Sequence, residues 1–157
     1  DASRAELPEE IGAVANGDLI GIEEVHDQTF AQKVLGDGIA IVPAEGAIYA
    51  PADAVVEIVM DTKHALGLRT KAGNGLLIHV GIDTVNLGGK YFTIHVSQGQ
   101  QVKKGDLLLE FNQEKIKAEG YDTTTSLIVT EPVEGSRIEK ESDQPVHKGD
   151  RIAEIVK

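Results

Sequence analysis

The sequence contains no cysteine. That excludes a disulfide framework, a thiolate nucleophile and any Cys-ligated zinc site, so covalent chemistry in this chain falls to another side chain. Basic residues are scarce. Only 15 Lys and Arg stand against 26 Asp and Glu, a formal net charge of −11, and the cations are scattered along the chain. Phosphate backbones are bound through clustered Lys and Arg, so no nucleic-acid partner is expected and a basic partner is favoured. No apolar run approaches the length of a membrane span, and the acidic first ten residues read as neither signal peptide nor anchor, so direct membrane insertion is not expected. Aromatic residues make up only 4% of the chain, which leaves Val, Ile and Leu to fill the core. The 157 residues fit a single domain. The chain opens on Asp, and residues 1–11 read as a linker, or disordered segment, of something larger, followed by one domain over residues 12–157.

What is present is punctuation. Gly and Pro recur every eight to twelve residues or so, and the pieces between them are short, apolar and β-branched. Strands are expected over 18–24, 38–42, 47–50, 55–61, 65–70, 76–82, 107–111, 126–130, 136–139 and 151–156. A single short helix is expected over 113–119, capped by Asn112 and ended by Gly120. Two segments echo each other: Val102-Lys-Lys-Gly-Asp-Leu-Leu-Leu-Glu-Phe111 and Val146-His-Lys-Gly-Asp-Arg-Ile-Ala-Glu-Ile155 share the frame V-x-K-G-D-x-x-x-E and an apolar residue. A weaker echo joins Pro51-Ala-Asp-Ala to Pro132-Val-Glu-Gly. The fold class is therefore all-β: an antiparallel β-sandwich or flattened barrel with a duplicated β unit and at most short peripheral helices.

Without thiols, the reactive candidates are five histidines and the carboxylates. His79 has the most unusual setting. In Leu76-Leu-Ile-His-Val-Gly-Ile82, strand alternation puts Leu76, Ile78, Val80 and Ile82 on one face, with Leu77, His79, Gly81 and Asp83 on the other. Gly81 is expected to leave open space beside the imidazole. The same parity sets Thr62 beside His64, where a hydroxyl can orient the ring. Spacing alone leaves both as ordinary strand histidines.

Gly36-Asp-Gly-Ile-Ala-Ile41, Asp61-Thr-Lys-His-Ala-Leu-Gly67 and Leu77-Ile-His-Val-Gly-Ile-Asp-Thr-Val85 stand in this order, preceded by Glu24-Val-His-Asp-Gln-Thr-Phe30 and followed by Gly-Gln-Gln-Val-Lys-Lys-Gly-Asp. This series, from about Gly12 to Lys157, resembles the glucose-type enzyme IIA domain of the bacterial phosphoenolpyruvate-dependent sugar phosphotransferase system. The resemblance implies that His79 takes a phosphoryl group from the carrier protein HPr and passes it to a cysteine of an enzyme IIB domain of the same permease. His64 would hydrogen-bond the phosphoryl group and Thr62 would orient His64. Asp27 and Asp83 would stand at the rim facing a cation of HPr, with Phe30, Val34 and Met60 as an apolar collar. It implies a cytoplasmic phosphotransferase component with no cofactor, and gives His26, His95 and His147 no catalytic role. Imidazole suits such a relay, being nucleophilic when neutral near pH 7.

The chain departs from the family at Val14, where proline is frequent, at Ala54, where glycine is frequent, and at Leu66. It lacks the basic amphipathic segment of free-standing members, which favours a domain of a multidomain permease. An IIA-like regulatory domain of a sugar symporter remains a second reading. His79-Val-Gly-Ile-Asp83 has the H-x-x-x-D spacing of lysostaphin-like zinc peptidases, but His95-Val-Ser97 fails their H-x-H pair; His64 and His79 still offer two imidazoles to an adventitious Zn²⁺. A lipoyl or biotinyl carrier domain shares the Val-x-Lys-Gly-Asp turns but is about half as long.

Overall fold

A computed structural model describes residues 7–157. Among these residues fourteen strands form: β1 Glu9–Gly12, β2 Gly17–Gly21, β3 Asp37–Pro43, β4 Ala47–Tyr49, β5 Ala54–Val59, β6 Ala65–Thr70, β7 Gly75–Val80, β8 Phe92–Ile94, β9 Gln101–Val102, β10 Leu107–Phe111, β11 Thr125–Glu131, β12 Arg137–Lys140, β13 Gln144–Val146 and β14 Arg151–Val156. They make an antiparallel eight-stranded sheet, β13-β2-β3-β11-β7-β6-β5-β9, and two antiparallel three-stranded sheets, β1-β14-β12 and β4-β10-β8. One core joins all three sheets, built from aliphatic side chains such as Ile11, Ile41, Ile48, Leu66, Ile78, Leu108 and Ile152, as the small aromatic content requires. The fold is the expected all-β sandwich, not a closed barrel.

The helical elements are short. Helix α2, Gln113–Ala118, lies where expected, with the Asn112 side chain accepting from the Lys115 N–H at 3.0 Å. Helix α1, Gln28–Ala31, was not expected from the sequence: it is one turn long, begun by Asp27, whose carboxylate accepts from the Thr29 N–H at 2.9 Å. Residues Ile22–Glu24, expected as the end of a strand, instead turn as a 3-10 helix.

The expected linker does not extend to residue 11. Residues 9–12 are strand β1, paired with β14, because Ile11 is buried and Glu9 is tied down. The Glu9 carboxylate accepts from the Thr70 hydroxyl at 2.6 Å, the Asn74 amide at 2.9 Å and the Ala72 N–H at 3.2 Å. Residues 1–6 of the expected linker lie outside the described residues.

The duplication is complete and larger than the echo. Strands β4 to β10 form one half; β1 to β3 with β11 to β14 form the other, and the strand order of the large sheet reads the same from either end. Hydrogen bonds repeat between halves. Ala13 N–H donates to Asp150 O at 2.7 Å, Gly149 N–H to Ala13 O at 2.9 Å and Lys148 N–H to Asn16 Oδ1 at 2.8 Å; Ala50, Gly105 and Lys104 do the same to Asp106 O, Ala50 O and Asp53 Oδ1 at 2.8, 2.9 and 2.9 Å. Each turn is closed by its own aspartate, Asp150 on His147 N–H and Asp106 on Lys103 N–H, both at 2.8 Å. The two halves then exchange a pair, Gly12 N–H to Pro51 O and Tyr49 N–H to Val14 O. The internal partner of Pro51-Ala-Asp53 is thus Val14-Ala-Asn16, and the expected echo at Pro132 is wrong: that stretch leads instead to a backbone N–H, Val133, held by Asn74. The registers of the halves also match. Gly17 pairs with Pro43 as Ala54 pairs with Thr70, so Asp37 occupies in one half the position of His64 in the other. Thr125 pairs with Ile41 as Leu76 pairs with Leu68, so Ile128 likewise corresponds to His79.

Candidate functional site

The hairpin β6–β7 carries both histidines at one end: His64 immediately precedes β6 and His79 is the next-to-last residue of β7, facing Ala65. Alternation along β7 is as expected through Val80, with Leu76, Ile78 and Val80 in the main core and Leu77 and His79 on the opposite face. Ile82 departs from it. The strand ends at Val80, Gly81 takes a left-handed φ of 81°, and Ile82 packs instead with Leu77 in a second cluster of Ile22, Val25, Phe30, Ala40 and Ile128.

The imidazoles of His64 and His79 meet edge-on, centroids 4.8 Å apart at 87°. Phe30, from α1, covers His79 at 4.8 Å. His79 Nδ1 lies 2.9 Å from the Gly81 carbonyl oxygen. A carbonyl only accepts, so Nδ1 carries the proton and the lone pair of the neutral ring is on Nε2. Burial, joined by the His64 neighbour, pushes the His79 pKa down to about 4 against the opposing pull of the Gly81 carbonyl and Asp27. Burial also lowers His64, which is 3% exposed. Thr62 Oγ1 stands 2.8 Å from His64 Nδ1, as parity anticipated, although Asp61–His64 is a turn, with Lys63 at φ 63°, and not a strand.

Around this pair the expected residues divide. Asp27 is half-buried and its charge acts on His79 while its carboxylate caps α1. Asp83 is exposed at φ 60° at the start of a 3-10 turn, Thr84–Leu87, and among the described residues it hydrogen-bonds neither imidazole. Val34 and Met60 are exposed apolar side chains, at 68% and 42%. Phe30 is buried and belongs to the wall of the site, not to an exposed collar. Val85, on the 3-10 turn after β7, is a further exposed apolar side chain, at 47%. Of the other histidines, His95 stands against Glu110 at 2.7 Å and His147 against Asp150 at 3.9 Å, while His26, next to Asp27, stands 3.8 Å from Asp122, whose carbonyl packs on Gly81.

The expected open space at Gly81 is absent. A Cβ there would lie 2.4 Å from Thr84 Cγ2 and 2.9 Å from the Asp122 carbonyl oxygen, so the glycine is a point of close packing that aims its own carbonyl at His79. Among the described residues no three His, Asp or Glu side chains converge as a metal cage, so a zinc ion would find two imidazoles alone.

The low His79 pKa has a stability consequence. The folded ring titrates near 4 and an unfolded one near its ordinary 6.5, so between these values only the unfolded chain takes up the proton. The contribution is intact above pH 6.5 and is lost as pH falls toward 4, by about 2 kcal/mol between pH 7 and 5. Urea unfolding at these two pH values should show that loss in the wild type and a smaller one in His79→Gln. Equal losses would mean that the ring is not held neutral.

Fold and site together define a class: an internally duplicated antiparallel β-sandwich with two facing imidazoles, one sealed and one reaching solvent. The chain belongs to the family of the phosphoenolpyruvate-dependent sugar phosphotransferase system, EIIA 1, which matches residues 9–135. It is 46% identical over 149 residues to the PTS system beta-glucoside-specific EIIBCA component of Halalkalibacterium halodurans, covering 95% of this chain and 23% of that protein. The glucose-specific EIICBA component of Streptococcus pneumoniae is 43% identical over 137 residues, 86% of this chain and 19% of its own. The chain therefore spans about a fifth of the length of these relatives. Glucose permease IIA from Mycoplasma capricolum superposes with a TM-score of 0.89 at 32% identity, over 95% of this chain and 96% of that one. Among the described residues no helix is long and apolar enough to cross a membrane.

Proposed function

We propose that this chain is the phosphoryl-carrier domain of a sugar permease, receiving a phosphoryl group on His79 from phospho-HPr and delivering it to a cysteine of an enzyme IIB domain in sugar uptake. The observation that carries the reading is the Nδ1–H to Gly81 carbonyl bond on a ring held neutral, which leaves the Nε2 lone pair as the nucleophile. Nε2 attacks the phosphorus of the donor's phosphohistidine in line; the new N–P bond forms as the donor's breaks, and the donor leaves as a neutral imidazole. The phosphorylated ring keeps its Nδ1 proton, and the Gly81 carbonyl stabilises its positive charge.

With the Thr62 hydroxyl donating to His64 Nδ1, the other nitrogen of that neutral ring bears a proton, and His64 serves as a donor to the phosphoryl oxygens. Phe30 shields the site from water, Val34 and Met60 provide apolar docking area, and Asp27 and Asp83 meet a cation of HPr. The first two relatives are named as EIIBCA and EIICBA components, which favours a relay inside one permease, on its cytoplasmic side, over regulation of a symporter.

The test is reconstitution. With phosphoenolpyruvate, enzyme I and HPr, the wild type should acquire an acid-labile phosphohistidine, and His64→Gln should acquire it but pass it on poorly to IIB. A wild type that stays unlabelled overturns the relay.

A further inference from the structure

Helix α1 is a single turn, too short to persist by its own hydrogen bonds, and the loop after it exposes Val34 and Leu35. Its Phe30 nevertheless lies over His79. Apolar contact with Ile22, Val25, Ala40 and Ile128 holds the ring side of the turn. The far side is held by charge. Lys33, at the end of the turn in a left-handed conformation with φ 59°, brings its Nζ to 3.5 Å from Asp37 Oδ1. Lys140, from β12, is more than a hundred residues away in sequence and only 23% exposed; its Nζ reaches the same oxygen at 2.8 Å and the Gly38 carbonyl at 3.3 Å. The Gly38 N–H donates to that oxygen as well, at 2.8 Å. Asp37 holds the position that the other half of the duplication gives to His64, on the strand that pairs with Ile128.

We infer that Asp37 is a positioning residue for the His79 site: gripped by Lys33 and Lys140, it holds α1 down and so keeps the Phe30 ring closed over the imidazole. The carboxylate keeps its charge. Burial alone would raise its pKa, but the Lys140 hydrogen bond, the Gly38 N–H and the two ammonium charges outweigh that and lower it. An alkyl chain at position 33 removes one ammonium, and an amide at position 37 removes the charge that draws in both while keeping an oxygen that can accept; either weakens the grip and leaves the apolar contacts in place. The consequence for phosphoryl transfer rests on the proposed role of His79: a lid that opens more often admits water to the phosphorylated ring.

The test uses Asp37→Asn and Lys33→Met in the whole domain, with the His79 ring followed by NMR before any phosphorylation. In both variants the His79 titration midpoint should rise from about 4 toward the ordinary 6.5, more in Asp37→Asn, and the ring-current shift that Phe30 imposes on the His79 protons should shrink. After labelling through HPr, both should lose phosphohistidine about threefold faster than the wild type or more. The Lys33 side chain is half exposed, so Lys33→Met keeps the test open if Asp37→Asn fails to fold. An unchanged midpoint and ring shift in folded Lys33→Met overturns the inference. A wild type that HPr cannot label overturns the relay instead and leaves the NMR result standing.

Discussion

His79→Gln is expected to accept no detectable phosphoryl group from phospho-HPr under conditions that label the wild type. The side chain that remains can still donate to the Gly81 carbonyl, but its amide has no nitrogen lone pair free to attack phosphorus. Nothing nearby replaces it. With the Thr62 hydroxyl donating to His64 Nδ1, the other nitrogen of that buried ring carries the proton and no lone pair is free, while His26 is turned to Asp122. Because the substitution removes a ring from a partly buried, Phe30-covered position, a modest loss of stability at neutral pH is expected, of order 1 kcal/mol, and the domain should remain folded by circular dichroism. Radiolabel transfer from phosphoenolpyruvate, resolved by gel and quenched in alkali, gives the answer directly. Label on folded His79→Gln would move the acceptor to another histidine.

Gly81→Ala is the second large effect, and it requires no contact with any partner. At φ 81° an L side chain is strained by about 1 kcal/mol or more before packing is considered. The added Cβ also enters space held by Thr84 Cγ2 at 2.4 Å and the Asp122 carbonyl at 2.9 Å, one of which is backbone. Together these cost about 3 kcal/mol or more, because Thr84 is itself buried and pinned to the Val80 carbonyl. Relief by displacing the Gly81 peptide moves the carbonyl that fixes the His79 tautomer. Gly81→Ala should therefore lower the unfolding midpoint and, in the fraction that stays folded, slow phosphoryl acceptance more than the stability loss explains. Near-normal stability with normal labelling would show that the turn relaxes without moving its carbonyl.

Much of this site was legible from short-range pattern. Strand alternation has a period of two, so His79 and Leu77 could be placed on one face and Ile78 and Val80 on the other without coordinates. Thr62 and His64 are two residues apart, close enough for the hydroxyl to reach the ring in either a strand or the turn that forms. Alternation failed at the point where the chain leaves the strand: Gly81 reverses the rule, sends Ile82 to the other cluster and turns expected free space into close packing. Helix α1 escaped for a related reason. One turn carries no periodicity to detect, and only the Asp27 cap marks it.

The duplication shows the same limit at larger scale. Lys-Gly-Asp turns could be recognised because each is closed locally by its own aspartate. Their true partners, Ala13-Val-Ala-Asn16 and Ala50-Pro-Ala-Asp53, share only the short frame A-x-A followed by Asn or Asp, whose meaning lies in the backbone bonds of Ala13 and Ala50 and the bonds accepted by the Asn16 and Asp53 side chains, which repeat between the halves.

The sequence by itself determined that this is a cysteine-free, acidic, all-β domain whose covalent chemistry cannot use a thiol, because composition and strand period are local properties of the chain. Only the tertiary structure decided which Nδ1 is protonated, that Phe30 covers His79, and that Asp37 joins Lys33 to Lys140. Each of these depends on groups from separate strands or turns meeting at one point, and the distances between such groups are set by sheet register and core packing, which no window along the sequence contains.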